Sequence, residues 1–335
     1  MFSIKKEEIF LLIMGLIFFA SFLFFYGKKI DFTLFVAKEA EAFSASIAWF
    51  VGLIVAFIIY FIVKILLAGP RIVLTGKSDF SNLLSVKNPK TGEEFSFWGF
   101  TRTIILILFI FSLFMFALAG VNTATKGRLL NQEFFVIEKN IFGELPFLWL
   151  HSQNNFLAPL LRILAPAIIW CFQSLSLVMG VSMFVFYIVF SKEDFYKYIF
   201  AIFISCMIAL PFWYFFPINS PNNYYLSTNP EIADYNPPKS VLELQRQIYN
   251  EQKENPPVST FPSMHTTWAI FIVYYLYRNY KKTIWLTAPW LLLLILGTTY
   301  LAQHYFVDIL LAIPLSAISI IIANKIEDII KEKTL

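Results

Sequence analysis

Long apolar stretches separated by polar connections make up most of the sequence. Eight of these stretches approach the ~20 residues that a membrane-spanning helix needs. They are residues 9–26, 46–69, 103–122, 166–190, 196–217, 264–280, 283–303 and 306–324. The pattern predicts an all-α polytopic membrane bundle with about eight spans. Pro166 near the start of the fourth stretch is expected to break or bend its helix, because proline disrupts a helix interior.

Two polar connections carry elements of their own. Residues 133–150 interleave aromatic and aliphatic residues with charges, which predicts a short helix lying in the plane of the membrane interface. Residues 218–263 form a proline-rich connection, in which residues 241–251 have the composition of one short helix.

The overall composition supports a membrane protein. Of the 335 residues, 58% are apolar, and the formal net charge is +4. No basic run is dense enough to predict a nucleic-acid partner. Both cysteines, Cys171 and Cys206, fall inside apolar stretches, where free cysteine packs as a small hydrophobe. The first apolar stretch follows two lysines and has no small-residue cleavage site after it, so we expect a retained span.

The basic residues predict an orientation. With eight spans, sixteen of the 26 Lys and Arg residues lie on the side that carries both termini. Since cytoplasmic loops are enriched in Lys and Arg, both termini are expected in the cytoplasm. Residues 218–263, His265 and His304 then face the extracytoplasmic side.

Candidate chemistry lies at the outer ends of three predicted spans. Only three histidines occur in the chain; His265 closes the run Phe-Pro-Ser-Met-His, and His304 lies four residues before Asp308. Ionisable groups near a bilayer are costly and commonly functional. On a helix, a spacing of four puts His304 and Asp308 on one face, where the carboxylate orients the ring. Pro262 is expected at the first helical position, so that free N–H groups beside Ser263 form an anion site.

These residues suit phosphoryl transfer without a metal: His304 would attack phosphorus and His265 would protonate the leaving oxygen. Three alternatives remain. The histidines and Asp308 have the ligand types of a metal site, which would make the protein a metal-dependent hydrolase. The same residues also suit a structural pair, or a catalytically inactive protein that binds lipid.

The two histidine motifs resemble those of the type-2 phosphatidic acid phosphatase superfamily. That family has Pro-Ser-Gly-His, and a later Ser-Arg followed by His and Asp at this spacing. The resemblance implies a six-helix core, no cofactor and a phosphohistidine intermediate. It makes His304 the nucleophile, Asp308 its orienting partner, His265 the general acid and Ser263 a phosphate contact.

A branch of that superfamily that includes inositol phosphorylceramide synthase (an inositolphosphotransferase) is the closer resemblance. It rests on Tyr-Leu-Ala-Gln-His-Tyr-Phe-Val-Asp at residues 300–308 and on a first motif without glycine. The Ser-Arg position is occupied by Gly297 and Thr298, so the family's arginine is absent. Outward-facing basic residues are candidate replacements. They are Lys126, Arg128, Arg162, Lys239, Arg246 and Lys253, and the expected phosphate contacts among them are Lys126, Arg128 and Arg246.

The resulting prediction has three segments. Residues 1–102 would hold two additional spans and a cytoplasmic loop, residues 103–324 the six-helix catalytic core, and residues 325–335 a cytoplasmic tail. The core would transfer or hydrolyse a phosphate or phospho-headgroup on a membrane lipid, with water or a lipid or polyol hydroxyl as acceptor. A plain lipid phosphatase is the alternative.

Overall fold

The computed structural model of the protein describes residues 5–26, 97–152, 154–226, 235–252 and 257–332, with a few single positions between 52 and 92. Most of the predicted second span and of the predicted cytoplasmic loop therefore lies outside the described residues, as does Lys253.

The described part of the chain is helical, and its only β-type pairing is an isolated bridge between Ile218 and Ser259. The all-α prediction is confirmed. We number the described helices α1 Lys6–Tyr26, α2 Phe97–Thr125, α3 Asn131–Phe142, α4 Pro146–His151, α5 Ala158–Gln173, α6 Leu175–Val185, α7 Lys192–Phe215, α8 Lys239–Gln252, α9 Met264–Asn279, α10 Ile284–Tyr300 and α11 Phe306–Glu332. A π-helical turn, Phe186–Phe190, continues α6.

Five described helices are long and apolar enough to cross a membrane: α1, α2, α7, α10 and α11. A sixth crossing is available if α5 and α6, which meet at an angle of 54°, form one bent span. Helix α9 has 16 residues, which gives about 24 Å at 1.5 Å per residue and falls short of a ~30 Å hydrocarbon core. The protein is thus an integral membrane helical bundle, and the total of eight spans stays a prediction.

The bend in the fourth apolar stretch is not at Pro166, which lies inside the continuous helix α5. The chain turns at Ser174, between α5 and α6. There the Ser174 hydroxyl lies 3.0 Å from the Cys171 carbonyl and accepts a bond from the indole N–H of Trp290 at 3.1 Å. These side-chain bonds satisfy polar groups at the break, which is why it is tolerated within an apolar stretch.

The polar connections also differ in detail from the prediction. Residues 133–150 form two helices rather than one, because Gly143 ends α3 with a positive φ of 83° and Pro146 starts α4. The helix predicted at residues 241–251 is present as α8.

Helix α7 lies at the centre of the bundle and packs against α1, α2, α9 and α11. Large side chains along it, including Tyr198 and Trp213, are fully buried. At one end of the bundle the first turns of α1, α2 and α7 meet the last turns of α11. We call this the ion-pair end. It is defined by Glu8, Arg102, Glu193, Lys197 and Lys331.

Candidate active site

The candidate site lies at the opposite end of the bundle, where α9 and α11 begin and α10 ends. We call it the histidine end. Ser263 caps α9: its side-chain oxygen accepts from the backbone N–H of Thr266, and its own N–H donates to the Asp308 carbonyl at 3.2 Å. Pro262 therefore lies before the cap rather than at the first helical position, and His265 is the second residue of the helix. The fully buried Ser263 fixes the start of α9 against the first turn of α11.

A tight turn between α10 and α11 positions the second histidine. The Thr298 carbonyl accepts from the backbone N–H groups of Gln303 at 2.9 Å and His304 at 3.0 Å. Ala302 takes a positive φ of 54°, a conformation that costs a non-glycine residue about 1–2 kcal/mol. Its carbonyl accepts from the Asn222 N–H at 2.8 Å, so the loop after α7 supports this turn.

The two histidine rings meet directly. Nδ1 of His265 lies 3.1 Å from Nε2 of His304, and Nδ1 of His304 lies 3.0 Å from the Thr260 carbonyl oxygen and 3.4 Å from Oδ2 of Asp308. Both neighbours of His304 Nδ1 accept hydrogen bonds, so this nitrogen carries the proton and Nε2 holds a lone pair. His265 Nδ1–H then donates to that lone pair.

His304 and Asp308 are paired, although not on one helical face as the spacing predicted. His304 lies in the turn before α11, and Asp308 reaches back from the helix's first turn. Oδ2 of Asp308 also accepts from the Tyr305 N–H at 2.9 Å, which holds the carboxylate in place. Burial lowers the pKa of His304 to about 4, against the opposing effect of the Thr260 carbonyl. The ring is therefore neutral at pH 7.

Helix α5 forms the wall behind His265. The ring of Phe172 stacks on the His265 ring, with centroids 4.9 Å apart and planes at 21°. Gly297 on α10 lets the two helices approach closely, since a Cβ there would lie 3.2 Å from the Ile168 carbonyl oxygen and from the Phe172 Cβ. Two positions depart from the family's Ser-Arg pattern. Gly297 forms a contact between helices and Thr298 is buried, so neither position supplies a cation.

The three basic residues expected to bind phosphate are all exposed. Arg128 donates to the Tyr214 carbonyl at 2.7 Å and lies over the Tyr214 ring. Arg162, a further candidate, donates to the Asn236 carbonyl at 3.1 Å. Among the described residues, none of these basic side chains forms a hydrogen bond or ion pair with His265, His304 or Asp308. Their assignment to phosphate stays a prediction, as does that of Ser263.

Sequence reasoning missed Glu138. This α3 residue is 1% exposed, and its Oε1 accepts from the backbone N–H of Phe306 and, at 3.3 Å, from that of Val307. A signal was present in the sequence: the buried residues of α3 are Asn131, Phe134 and Glu138, so the carboxylate falls on the inward stripe.

His151, the third histidine, is buried, with Nε2 2.8 Å from the Tyr300 carbonyl oxygen at the end of α10. Burial lowers its pKa to about 4.

A cavity of about 480 Å³ opens between α3, α4, α10 and the start of α11. Its lining is mostly apolar. It includes Phe142, Pro146, Trp149, Leu292, Leu296 and Phe306. Phe306 follows His304 by two residues, so the cavity adjoins the turn that carries the candidate nucleophile. Within the described residues, no group of three or more His, Cys, Asp or Glu side chains is arranged to hold a metal ion.

Comparison with known proteins gives one match. A family model described as the PAP2 superfamily matches residues 143–322, which include His265, His304 and Asp308. Neither the curated proteins nor the solved structures give a match.

Proposed function

The chain belongs to the PAP2 superfamily, a family of phosphatase-type enzymes, and on that premise we propose that it transfers or hydrolyses a phosphate or phospho-headgroup of a membrane lipid. A phosphohistidine on His304 would be the intermediate. The observation that carries the proposal is the arrangement of one ring: Nδ1 of His304 is held by Thr260 and Asp308, while Nε2 faces His265.

In the first half-reaction, the Nε2 lone pair of His304 attacks phosphorus and the bond from phosphorus to the leaving oxygen breaks. His265, in its imidazolium form, gives its proton to that oxygen. The negative phosphate favours the imidazolium, because a nearby opposite charge stabilises the charged form. The phosphorylated His304 ring is cationic, and the Asp308 carboxylate stabilises it.

In the second half-reaction, the now neutral His265 accepts a proton from water or from an alcohol. The oxygen of that acceptor attacks phosphorus and the bond from phosphorus to Nε2 breaks. His265 is thereby an acid in one step and a base in the next, as microscopic reversibility requires.

The phosphate charge needs donors other than the family's arginine. The N-terminus of α9 supplies backbone N–H groups and the positive end of a helix dipole beside His265. Exposed basic residues of the same end, Lys126, Arg128 and Arg246, would add long-range attraction. The 480 Å³ cavity supports a lipid substrate, since its apolar lining suits an acyl chain beside the reacting group.

Within this activity, we favour transfer to an alcohol acceptor. The support is the resemblance of residues 300–308 to the inositolphosphotransferase branch. The test supplies the full chain in detergent with a labelled phospholipid and EDTA, and varies inositol, glycerol and ceramide as acceptors. Labelled product lipid that rises with one acceptor is expected. Free phosphate that no acceptor alters would make the protein a plain phosphatase, and lipid binding without any turnover would make it a lipid-binding protein. Loss of turnover in EDTA would indicate a metal-dependent hydrolase.

The asymmetry of basic residues supports an extracytoplasmic site. The two native cysteines are buried, so single cysteines can be introduced at exposed Ser240, at the histidine end, and exposed Lys282, at the other. An impermeant thiol reagent added to intact cells should label Ser240→Cys and leave Lys282→Cys unlabelled. The reverse pattern would put the chemistry in the cytoplasm.

A further inference from the structure

Helix α11 begins without a local cap. The first N–H groups of an α-helix have no partner within the helix and are normally satisfied by a short side chain at the cap position. Here Tyr305 precedes the helix, and a tyrosine hydroxyl is too distant to reach the first turn. Asp308 bonds back to the Tyr305 N–H, which leaves the N–H groups of Phe306 and Val307 to be satisfied from elsewhere.

Glu138 supplies that missing acceptor from another helix. Its Oε1 accepts from both N–H groups, across 168 residues of sequence. Three residues spaced four apart on α3 face the same turn: Phe134 contacts the Tyr305 ring, Glu138 caps the helix, and Phe142 meets the Phe306 ring edge-on at 5.3 Å. The inward face of α3 is therefore docked along the segment that connects His304 to Asp308.

We propose that Glu138 is a positioning residue for the phosphoryl transfer: by capping α11 from α3, it fixes the turn that holds His304 against Asp308. This inference rests on the proposed function. Glu138 also lies before the first residue of the segment that the family model matches.

The chemistry of the site favours a neutral Glu138. Burial, with a smaller contribution from the nearby Asp308 carboxylate, raises the pKa of Glu138 to about 8 against the opposing effect of the Phe306 and Val307 N–H groups. A neutral carboxyl still accepts through its carbonyl oxygen, so a neutral amide of the same shape can replace it.

The test compares three substitutions in the full-length protein. Glu138→Gln keeps an acceptor at the same reach and should have near wild-type kcat. Glu138→Leu removes the acceptor, and Glu138→Asp shortens the reach by one methylene group. Both should lower kcat by about 10- to 100-fold with KM little changed, because misplacing a reacting group by ~1 Å costs about that much. Glu133→Leu, an exposed position on the same helix, is the matched control.

A second readout does not depend on catalysis. Hydrogen exchange of the peptide that contains Phe306 and Val307 should be faster in Glu138→Leu and Glu138→Asp, and unchanged in Glu138→Gln. Wild-type kcat and exchange in Glu138→Asp would overturn the inference, whether or not Glu138→Leu folds. An equal loss of kcat in Glu138→Gln with unchanged exchange would also overturn it, since it would indicate direct proton transfer. If the wild type turns over no phospholipid, the proposed function fails. The exchange experiment still shows whether Glu138 caps α11.

Discussion

The two ends of the bundle both bury ionisable side chains, but they satisfy them differently. At the ion-pair end the buried Glu8 and Lys197 have partners of opposite sign. Glu8, which is 3% exposed, accepts two bonds from the guanidinium of Arg102. Lys197, which is 2% exposed, bonds to Glu193 and lies 3.5 Å from Asp328. Glu327, which is 2% exposed at the same end, has one oxygen without a hydrogen-bond partner among the described residues but lies near the cations Lys197 and Lys331.

At the histidine end the described residues bring no cation to the buried carboxylates. Glu138 meets backbone N–H groups, and Asp308 meets the Tyr305 N–H and the His304 ring. His304 in turn lies between a carbonyl oxygen, a carboxylate and a second ring. One oxygen of Asp308 and one of Glu138 are buried without any hydrogen-bond partner in the described structure.

The difference between the two ends is the presence of cations near the buried carboxyl groups. A carboxyl group with a cation nearby is compatible with stability, whereas a buried one without a cation is costly and is a candidate for a chemical role. The comparison leads to two expectations. Substitutions at the histidine end should affect turnover, and equivalent substitutions at the ion-pair end should affect stability alone.

The largest expected effect tests the candidate nucleophile. His304→Ala should lower kcat by about 10⁴-fold or more and abolish any covalent phosphoenzyme, because the attacking nitrogen is gone. Asp308→Asn should lower kcat by about 10²–10⁴-fold with little loss of folded protein, since it leaves the ring in place but misorients it. The measurements are single-turnover kinetics and trapping of the phosphoenzyme.

The matched control lies at the other end of the same helix. Asp328→Asn makes the same chemical change at a side chain that is 63% exposed, and should leave kcat unchanged. A fully active His304→Ala would remove the mechanism and, with it, the functional interpretation of the histidine end.

Much of this site was predictable from sequence because its information is local. Length and hydropathy predict the five described helices that are long and apolar enough to cross a membrane, and the four-residue spacing predicts the pair of His304 and Asp308. The missed features depend on contacts between distant segments. The Thr260 carbonyl lies 44 residues from His304, and Glu138 lies 168 residues from Phe306. No local pattern specifies such partners.

The errors of the sequence analysis have the same origin. Pro166 carries an obvious signal for a bend, yet the chain bends at Ser174, where Trp290 of a different helix supplies a hydrogen-bond partner. His304 is not on a helix because Ala302 takes a left-handed conformation that alanine rarely adopts. Both outcomes are decided by packing against other elements.

The second prediction tests the ion-pair end. Lys197→Met removes the buried cation while keeping its length, which leaves Glu193 and Asp328 without that partner. We expect a loss of stability of about 1.5 kcal/mol, because the hydrogen bond to Glu193 is lost while Glu193 keeps Lys331 and both carboxylates remain partly exposed. The loss should be seen as a lower Tm in detergent, with kcat per folded molecule within about twofold of wild type. Lys325→Met, an exposed lysine of the same end, should change neither quantity. A strong loss of kcat in folded Lys197→Met would erase the distinction between the two ends.

A smaller effect is expected from pH. Burial lowers the pKa of both His151 and His304 to about 4, compared with about 6.5 in the unfolded chain. Between these values the unfolded state binds more protons, so stability is full above pH 6.5 and falls as pH drops towards 4. The ¹⁵N spectrum of the imidazoles checks this directly, because the chain has only three histidines. All three rings of the free protein should remain neutral at pH 5, because burial also lowers the pKa of His265, to about 3. Assignment uses His151→Gln and His304→Gln. If the ring of His151 or His304 titrated near pH 6.5 in the folded protein, that result would contradict the burial of the ring.

The smallest expected effects concern the exposed basic residues of the histidine end, which would supply the positive charge that its buried part lacks. Arg246 on α8 follows the buried Gln245, whose carbonyl accepts from Asn222, and Asn222 in turn bonds to Ala302 in the turn before His304. Arg128, by contrast, is already held by the carbonyl and ring of Tyr214. Arg246→Ala should therefore raise KM by about fivefold with kcat unchanged, which corresponds to ~1 kcal/mol for an exposed charge, and Arg128→Ala should raise it less.

Salt provides the control for that last comparison. At 1 M ionic strength the electrostatic effect of an exposed cation is screened beyond about 3 Å. The difference in KM between Arg246→Ala and wild type should therefore disappear at that salt concentration. A buried contact would keep its effect in high salt. If the KM effect of Arg246→Ala survives at 1 M salt, Arg246 contacts the phosphate directly and away from water. In that case the histidine end, once substrate is bound, pairs opposite charges as the ion-pair end does.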